Sequence, residues 1–170
     1  MIRIYLSLGT NQGDRRAQLR QALQRLERAF GVAPAALSSI IETPAWGFVG
    51  PDFLNCVVRF DLPDPLLPPG SEGKEPRRRW TPTRLLDQCQ RIERELGRTG
   101  APEWDAKGQR IYHDRPIDID ILFWNTRRIR TRRLSIPHPL IAQRDFVLTP
   151  LLEIADPAIL RAFPEIFSTK

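Results

Sequence analysis

Residues 115–124 read "RPIDIDILFW", a strand-like run that sets two acids into an otherwise apolar segment. Side chains two residues apart in a β-strand point to the same face, so Asp118 and Asp120 share one face with Cα atoms roughly 6.5–7 Å apart. The isoleucines that alternate with them take the other face and can join a core. This run therefore predicts a two-sided strand, apolar toward helices and acidic toward something else.

The paired carboxylates need a partner, because two adjacent negative charges repel and burying them unpaired is costly. A divalent cation would satisfy them, and Mg²⁺ favours one or two carboxylates completed by waters and substrate phosphates. An exposed sheet face whose acids pair with nearby arginines would satisfy them equally well. The D-x-D spacing of Asp118 and Asp120 is compatible with both interpretations.

Basic residues bracket the acidic pair along the chain and favour the first interpretation. Acids that hold a metal beside bases that hold phosphate are the general arrangement of phosphoryl transfer, and arginine binds phosphate oxygens in pairs. The segment "GTNQGD" at 9–14 lacks the G-K-[ST] ending of a phosphate-binding P-loop. The bracketing bases are Arg98, Lys107, Arg110, Arg115, Arg133, His138 and Arg144.

Hydrophobic periodicity predicts an alternation of strands and helices. Asp14 is a suitable N-cap and Gly31 a suitable stop for the first helix. The resulting order β-α-β-β-α-β predicts an α+β protein with a ferredoxin-like βαββαβ core, an antiparallel sheet flanked by helices on one face. The predicted elements are strands at 2–8, 37–43, 54–62 and 116–124, and helices at 15–30, 83–97 and from 145 onward.

Length and composition favour one globular domain over residues 1–170, with a proline- and charge-rich flexible insert at 63–82. No apolar run approaches the roughly 20 residues of a membrane span, and the N-terminal segment lacks a signal-peptide pattern, so we expect a cytoplasmic protein. Cys56 and Cys89 lack metal-ligand spacing and are expected to be reduced, buried thiols. The net charge of +6 favours an anionic partner.

Several blocks taken together resemble the 6-hydroxymethyl-7,8-dihydropterin pyrophosphokinase family (2-amino-4-hydroxy-6-hydroxymethyldihydropteridine diphosphokinase). They are "YLSLGTNQGDR" at 5–15, "ETPAWGFVGPDFLNCVV" at 42–58, "QRIERELGR" at 90–98, "RPIDIDILF" at 115–123 and residues 136–157. The resemblance implies transfer of pyrophosphate from ATP, the co-substrate, to the hydroxymethyl group of a reduced pterin in folate biosynthesis, with release of AMP. It also implies two Mg²⁺ ions.

Site residues follow from the same resemblance. It implies that Asp118 and Asp120 are the metal ligands and that they act with Arg98 and Arg115 in catalysis, within a mobile catalytic loop at 98–115. The implied pterin-binding residues are Thr43, Pro44, Trp46, Phe53, Asn55, Tyr112 and Phe146. The implied ATP-binding residues are Gln90, Glu93, Arg98, Arg115, Ile121, Arg133, Ser135, His138 and Arg144.

Two positions of the loop leave alternatives open. Gly100 stands where the family has a second loop arginine, which Lys107 or Arg110 could replace. Tyr112 stands where a tryptophan often stacks on the pterin, and Trp104 is the alternative. We expect a monomer that binds ATP and hydroxymethyldihydropterin, without nucleic acid or membrane.

Two other functions compete with this reading. One is a ferredoxin-like nucleic-acid-binding module, favoured by the element order and the basic charge. An acidic sheet face speaks against it, because acids repel phosphates. The other is an inactive relative that binds a nucleotide without turnover, favoured by Gly100 and Tyr112.

Overall fold

The computed structural model describes residues 1–63, 80–100 and 103–168. The strands within these ranges are β1 (Ile2–Thr10), β2 (Ala36–Leu37), β3 (Ile41–Thr43), β4 (Phe53–Leu62), β5 (Glu103–Trp104), β6 (Arg110–Ile111), β7 (Asp118–Trp124), β8 (Ile129–Arg130) and β9 (Ser135–Ile136). The α-helices are α1 (Arg15–Phe30), α2 (Pro82–Glu95), α3 (Asp145–Ile154), α4 (Pro157–Ala162) and α5 (Pro164–Phe167), with a 3-10 turn at Ile141–Gln143.

A five-stranded antiparallel sheet forms the centre of the described molecule. β1 lies between β4 and β7, and the short strands β2 and β3 both pair with the far side of β4. The register places Gly9 opposite Asp118 and Ser7 opposite Asp120. The α+β class with an antiparallel sheet and helices is therefore confirmed, and the acidic pair lies on the edge strand β7.

Local sequence signals explain where the two long helices begin and end. The Asp14 side chain accepts the backbone N–H of Ala17 at 2.9 Å, and Gly31 ends α1 in the left-handed region at φ 68°. Thr81 accepts the N–H of Arg84 at 3.2 Å and so caps α2, which has Pro82 in its first turn. These caps set where both helices begin and where α1 ends.

Two apolar layers enclose the sheet. α1 and α2 pack on the face that carries Leu6, Val58 and Ile119, all fully or almost fully buried. α3, α4 and α5 pack on the opposite face, around Tyr5 and Phe123. The expectation of helices on one face only is therefore wrong, because Tyr5, Val57 and Phe123 form an apolar patch on the second face that needs a cover.

A polar network anchors this second layer to β1. The Tyr5 hydroxyl donates to Asp156 Oδ2 at 2.8 Å and accepts the backbone N–H of Asp156 at 3.1 Å. Arg3 bridges Asp156 Oδ2 at 2.9 Å and Asp61 Oδ1 at 2.8 Å. Because Asp156 also caps α4, the network joins the sheet to the start of the last helices.

Two parts of the predicted element pattern need correction. The strand predicted at 37–43 is two pieces, because Ser38 interrupts the ladder by accepting the N–H of Val57 with its side-chain hydroxyl at 2.8 Å. The loop predicted at 98–114 contains the hairpin β5–β6, turned at Asp105. The insert expected at 63–82 falls largely outside the described residues.

Candidate active site

The two acids of β7 are held on the sheet face that the apolar residues leave open. Ile119 and Ile121 are almost fully buried among α1 and α2, while Asp118 and Asp120 are partly exposed on the other side. The alternation predicted from the sequence is thus present. It directs both carboxylates into a cleft with walls formed by β1, the segment after β3 and the segment before β7.

Asp118 forms ion pairs with two arginines. Arg98 Nη1 lies 2.7 Å from Asp118 Oδ1, and Arg115 Nη1 lies 2.9 Å from Asp118 Oδ2. Burial alone would raise the pKa of Asp118, but Arg115 and Arg98 outweigh it and the pKa lies below its ordinary value. Asp118 is therefore ionised at neutral pH, with a positive charge at each oxygen.

Asp120 has looser cationic partners. Its Oδ2 lies 3.5 Å from Arg144 Nη1 and 3.8 Å from His138 Nε2, and both distances are longer than a hydrogen bond. Burial and the neighbouring charge of Asp118 raise the pKa of Asp120, against His138 and Arg144. Asp120 is thus a carboxylate whose negative charge the surrounding side chains compensate incompletely.

Glu93 supports the pair from α2. Its Oε1 accepts a hydrogen bond from Arg98 Nη1 and another from the backbone N–H of Ile119 at 2.8 Å. Burial, followed by the charge of Asp118, raises the pKa of Glu93 to about 8, against Arg98 and that N–H. Glu93 therefore fixes both the guanidinium of Arg98 and the backbone between the two acids.

A small aromatic cavity opens on one side of the acidic pair, with Asp118 and Asp120 in its wall. Asn55 donates to Thr43 Oγ1 at 2.8 Å, which orients its amide. Trp46 and Tyr112 meet edge to face at 5.7 Å between ring centroids. All seven residues predicted for the pterin line this cavity: Thr43, Pro44, Trp46, Phe53, Asn55, Tyr112 and Phe146.

Arg144 connects the aromatic wall to the acids. Its guanidinium carbon lies 4.7 Å from the Trp46 ring centroid and 5.7 Å from that of Phe146, within range of cation–π attraction. Arg144 Nη2 also donates to the Tyr112 hydroxyl at 3.2 Å. Arg144, predicted on the nucleotide side, thus lines the aromatic cavity.

A second, larger cleft opens on the other side, and Asp118 and Asp120 line it too. Its volume is about 1530 Å³, against about 520 Å³ for the aromatic cavity. Seven of the nine residues predicted for ATP line this cleft, and the other two, Arg115 and Arg144, line the aromatic cavity. The seven are Gln90, Glu93, Arg98, Ile121, Arg133, Ser135 and His138.

The geometry also separates the alternatives that the sequence left open. Tyr112 lines the aromatic cavity, whereas Trp104 is exposed on β5 and lines the larger cleft. Arg110 lines the larger cleft, whereas Lys107 lies in the turn of the β5–β6 hairpin, where its N–H is donated to Asp105. Tyr112 and Arg110 are therefore the better-placed candidates.

Three residues of the aromatic cavity were missed by sequence reasoning. Ser7 and Gly9 belong to β1, and Phe48 belongs to the segment after β3. Gly9 lay beyond the predicted strand 2–8, but the period-two pattern of β1 placed Ser7 on the face opposite its leucines, which is the same face as the acids. That signal was available, whereas Phe48 in a Pro- and Gly-rich segment gave none.

Mg²⁺ fits this donor set. Across 1–63, 80–100 and 103–168, no group of three or more His, Cys, Asp or Glu side chains is arranged to hold a metal. Two carboxylates on one face, one of them incompletely compensated, match an ion that takes most of its ligands from water and phosphate. The scattered Cys56 and Cys89 are free and buried, as expected.

None of the helices within the described ranges is long and apolar enough to cross a bilayer. A family model described as "7,8-dihydro-6-hydroxymethylpterin-pyrophosphokinase (HPPK)" matches residues 5–68 and 74–156.

Three relatives are described as 2-amino-4-hydroxy-6-hydroxymethyldihydropteridine pyrophosphokinase. That of Porphyromonas gingivalis is 40% identical over 154 residues, which cover 89% of this chain and 90% of the relative. That of Methylorubrum extorquens is 35% identical over 161 residues, covering 94% and 87%. That of Bacillus subtilis is 37% identical over 151 residues, covering 88% and 76%.

Proposed function

The chain belongs to the 7,8-dihydro-6-hydroxymethylpterin-pyrophosphokinase family, and on that premise we propose how its two neighbouring cavities divide the reaction. It is an enzyme of folate biosynthesis that transfers the pyrophosphoryl group of ATP to hydroxymethyldihydropterin. The hydroxyl oxygen of the pterin loses its proton to solvent and forms a bond to the β-phosphorus of ATP, the bond from that phosphorus to the oxygen shared with the α-phosphorus breaks, and AMP leaves with that oxygen.

The pterin binds in the aromatic cavity. A flat heterocycle suits the space beside Tyr112 and Phe146, where stacking on aromatic rings contributes binding energy. The amide of Asn55 can both donate to and accept from the polar edge of the ring. Arg144 also faces this cavity, where its charge supports the rings by cation–π contact.

ATP binds in the larger cleft, which has the greater volume and the more basic lining. Arg98, Arg133 and His138 are the bases that would contact phosphate, and Arg110 takes the role of the loop arginine replaced by Gly100. Because His138 Nδ1 accepts the backbone N–H of Leu140 at 3.2 Å, a neutral His138 carries its proton on Nε2, on the side of Asp120. Burial lowers the pKa of His138, against the charge of Asp120.

Two Mg²⁺ ions would be held by Asp118 and Asp120 between the cavities. Bound there, they would supply charge neutralisation at the phosphates and a lower pKa for the substrate hydroxyl. Arg98 and Arg115 pair with the two oxygens of Asp118; with Mg²⁺ held by Asp118, their guanidinium groups would be available to contact phosphate. The role of Arg98 and Arg115 is electrostatic, because negative charge on the phosphate oxygens must be stabilised during transfer.

The single observation that carries this proposal is that Asp118 and Asp120 line both cavities at once. A group that passes from ATP to the pterin must cross the point where the two substrates meet, and the carboxylates lie at that point. This arrangement also disfavours a nucleic-acid-binding module, because nucleic acid on this sheet face would bring phosphates against two carboxylates.

Asp118→Asn and Asp120→Asn test the proposal. With ATP, Mg²⁺ and hydroxymethyldihydropterin, we expect the wild-type protein to release AMP and each variant to lose roughly 100-fold or more in kcat. Glu165→Gln, at an exposed carboxylate that pairs with Arg128, is the control and should keep its activity. Full activity in either Asp variant would show that the metal assignment is wrong, and no AMP from the wild type would favour an inactive relative.

The fold, the domain organisation, the cellular location and the oligomeric state complete the proposal. The strand order supports a ferredoxin-like core. We propose that this core forms a single domain and that 98–115 is its mobile catalytic loop. We also propose a cytoplasmic monomer. Light scattering should give a mass near 19.6 kDa, and a mass twice as large would contradict the monomer.

A further inference from the structure

Asn11 lies immediately after β1, between the two segments that border the active site. Its side chain is only 3% exposed, although it belongs to a segment whose composition suggests a surface turn. A buried carboxamide is costly unless its donors and its acceptor are satisfied. The partners of Asn11 therefore explain why it is buried.

The first pair of contacts fixes the backbone of Arg115. Asn11 Oδ1 accepts the N–H of Arg115 at 2.7 Å, and the N–H of Asn11 donates to the carbonyl of Arg115 at 3.2 Å. The side chain of Arg115 in turn holds Asp118 at 2.9 Å and lies over the Tyr112 ring at 5.6 Å. Asn11 thus orients a residue that contacts the metal-binding carboxylate and the aromatic wall together.

The second pair of contacts joins two segments. Asn11 Nδ2 donates to the carbonyl of Pro51 at 3.2 Å and to Asp114 Oδ1 at 2.8 Å. Pro51 belongs to the segment 44–53, which supplies Trp46 to the aromatic cavity, and Asp114 lies beside Arg115. The segments approach so closely that a Cβ on Gly50 would lie 2.5 Å from Asp114 Oδ1.

Asparagine is well suited to this position. The site needs one acceptor and two donors on one short side chain, and a carboxamide provides both. Aspartate would present two acceptors and repel Asp114 and the carbonyl of Pro51. Alanine would leave the N–H of Arg115 without its side-chain acceptor.

We propose that Asn11 is a positioning residue that couples the pterin site to the nucleotide site, by joining segment 44–53 to residues 114 and 115. The inference depends on the division of the two cavities proposed above. Occupation of one cavity stabilises the joined arrangement of both segments, so the second substrate binds to a site that is already ordered.

Asn11→Asp tests the coupling, with calorimetry as the readout. The Kd of hydroxymethyldihydropterin is measured alone and with a saturating non-hydrolysable ATP analogue and Mg²⁺, and the ratio of the two values is the coupling. We expect the ratio to fall about tenfold in Asn11→Asp, within the usual range of couplings between sites, while the Kd of the pterin alone changes much less.

Two further variants separate positioning from a structural role. Asn11→Asp combined with Asp114→Asn restores a donor facing an acceptor and should recover most of the ratio. Asn125→Asp makes the same chemical change beyond the other end of the sheet, where Asn125 Oδ1 accepts the N–H of Arg3 at 2.7 Å, and should leave the ratio at its wild-type value.

Several results would overturn the inference. An unchanged ratio in Asn11→Asp is one, and an equal loss in Asn125→Asp is another. If Asn11→Asp does not fold, Asp114→Ala at an exposed position removes one of the four bonds and must still lower the ratio. A wild-type protein that binds neither substrate would instead contradict the proposed division of the cavities.

Discussion

Three carboxylates lie close together at this site, and their surroundings give them different pKa values. Two guanidinium groups hold the pKa of Asp118 below its ordinary value. Burial and the adjacent charge raise the pKa of Asp120, and burial raises that of Glu93 to about 8. The excess of negative charge is therefore concentrated where a divalent cation would relieve it most.

Glu93 makes a prediction about the pH dependence of stability. Between the ordinary carboxyl pKa of 4.5 and about 8, the folded protein keeps a proton on Glu93 that the unfolded chain has released, so its stability falls as pH rises. Glu93→Gln removes this dependence. We expect the melting temperature of the variant to gain on the wild type from pH 5 to pH 8, by roughly 2–4 °C for each kcal/mol.

Thermal melts at several pH values in the absence of nucleotide and magnesium provide the measurement. Glu95→Gln is the matched control, because Glu95 is on the same helix but pairs with Arg91 at the surface. The difference in melting temperature between Glu95→Gln and the wild type should be small and the same at every pH. A constant difference for Glu93→Gln as well would show that Glu93 is ionised throughout this range.

Gly9 sets the position of Asn55 and makes a second prediction at this scale. A Cβ at Gly9 would lie 2.9 Å from Asn55 Oδ1, which is closer than real Cβ atoms come to a neighbour. Gly9→Ala should displace the amide and raise KM for the pterin about tenfold, equivalent to the loss of one hydrogen bond. KM for ATP should stay near its wild-type value.

Steady-state kinetics with each substrate varied in turn separate the two effects. Gly13→Asn is the control, because Gly13 has φ 64°, which asparagine tolerates, and a Cβ there meets nothing within 4 Å. Equal rises in both KM values for Gly9→Ala would indicate a general distortion of β1 and contradict the specific effect on Asn55.

At the scale of elements, the long strands and helices could be predicted because their own residues determine them. α1 carries its cap and its stop within the sequence, and β7 shows its two faces by alternation alone. The hairpin β5–β6 was not predicted, because strands of two residues have no periodicity to detect. The interruption at Ser38 depends on a hydrogen bond to Val57, which no local pattern reveals.

The site residues also divide into those that the sequence reveals and those whose roles depend on the folded structure. Asp118 and Asp120 could be recognised from spacing, and most of the other candidates from resemblance to a family. Asn11 and Gly9 could not, because their roles depend on which segments face them after folding. The attachment of the last helices was also hidden, since it depends on Tyr5 meeting Asp156 about 150 residues away.

Tyr5→Phe tests that attachment. The change removes the hydroxyl that bonds Asp156 twice, while the ring keeps its edge contact with Phe123 at 5.8 Å. Asp156 then loses a donor and its N–H loses an acceptor, so we expect unfolding to become easier by about 1–3 kcal/mol. Denaturant titration measures this, and an unchanged midpoint would show that the network is dispensable.

At the scale of the whole molecule, three parts of the structure around the acids have different roles. α1 and α2 support β7 from behind, the sheet presents the acids, and the segments after β3 and before β7 cover them. The sequence indicated the sheet and the layer formed by α1 and α2. The layer formed by α3, α4 and α5 could not be predicted without knowing which residues lie on each face of the sheet. We propose that these covering segments are mobile, so they should respond to ligands more than the layers beneath them.

Ligand-dependent melting tests whether the site beneath these segments binds nucleotide together with a metal. A ligand at about 100 times its Kd stabilises the folded state by about 2.7 kcal/mol, which for a chain of this size raises the melting temperature by roughly 5–10 °C. The ATP analogue should act only when Mg²⁺ is present, and chelation of the metal should abolish the shift. A shift of equal size without Mg²⁺ would contradict a metal-dependent nucleotide site.

β7 contributes to the core with one face and to chemistry with the other, and Glu93 ties its backbone to α2 between the two acids. A substitution that loosens the packing behind Ile119 would therefore shift the carboxylates in front of it. Stability and catalytic activity both depend on this strand, so few random substitutions in it should damage only one of the two. Variants that trade some stability for altered activity should instead arise in the covering segments.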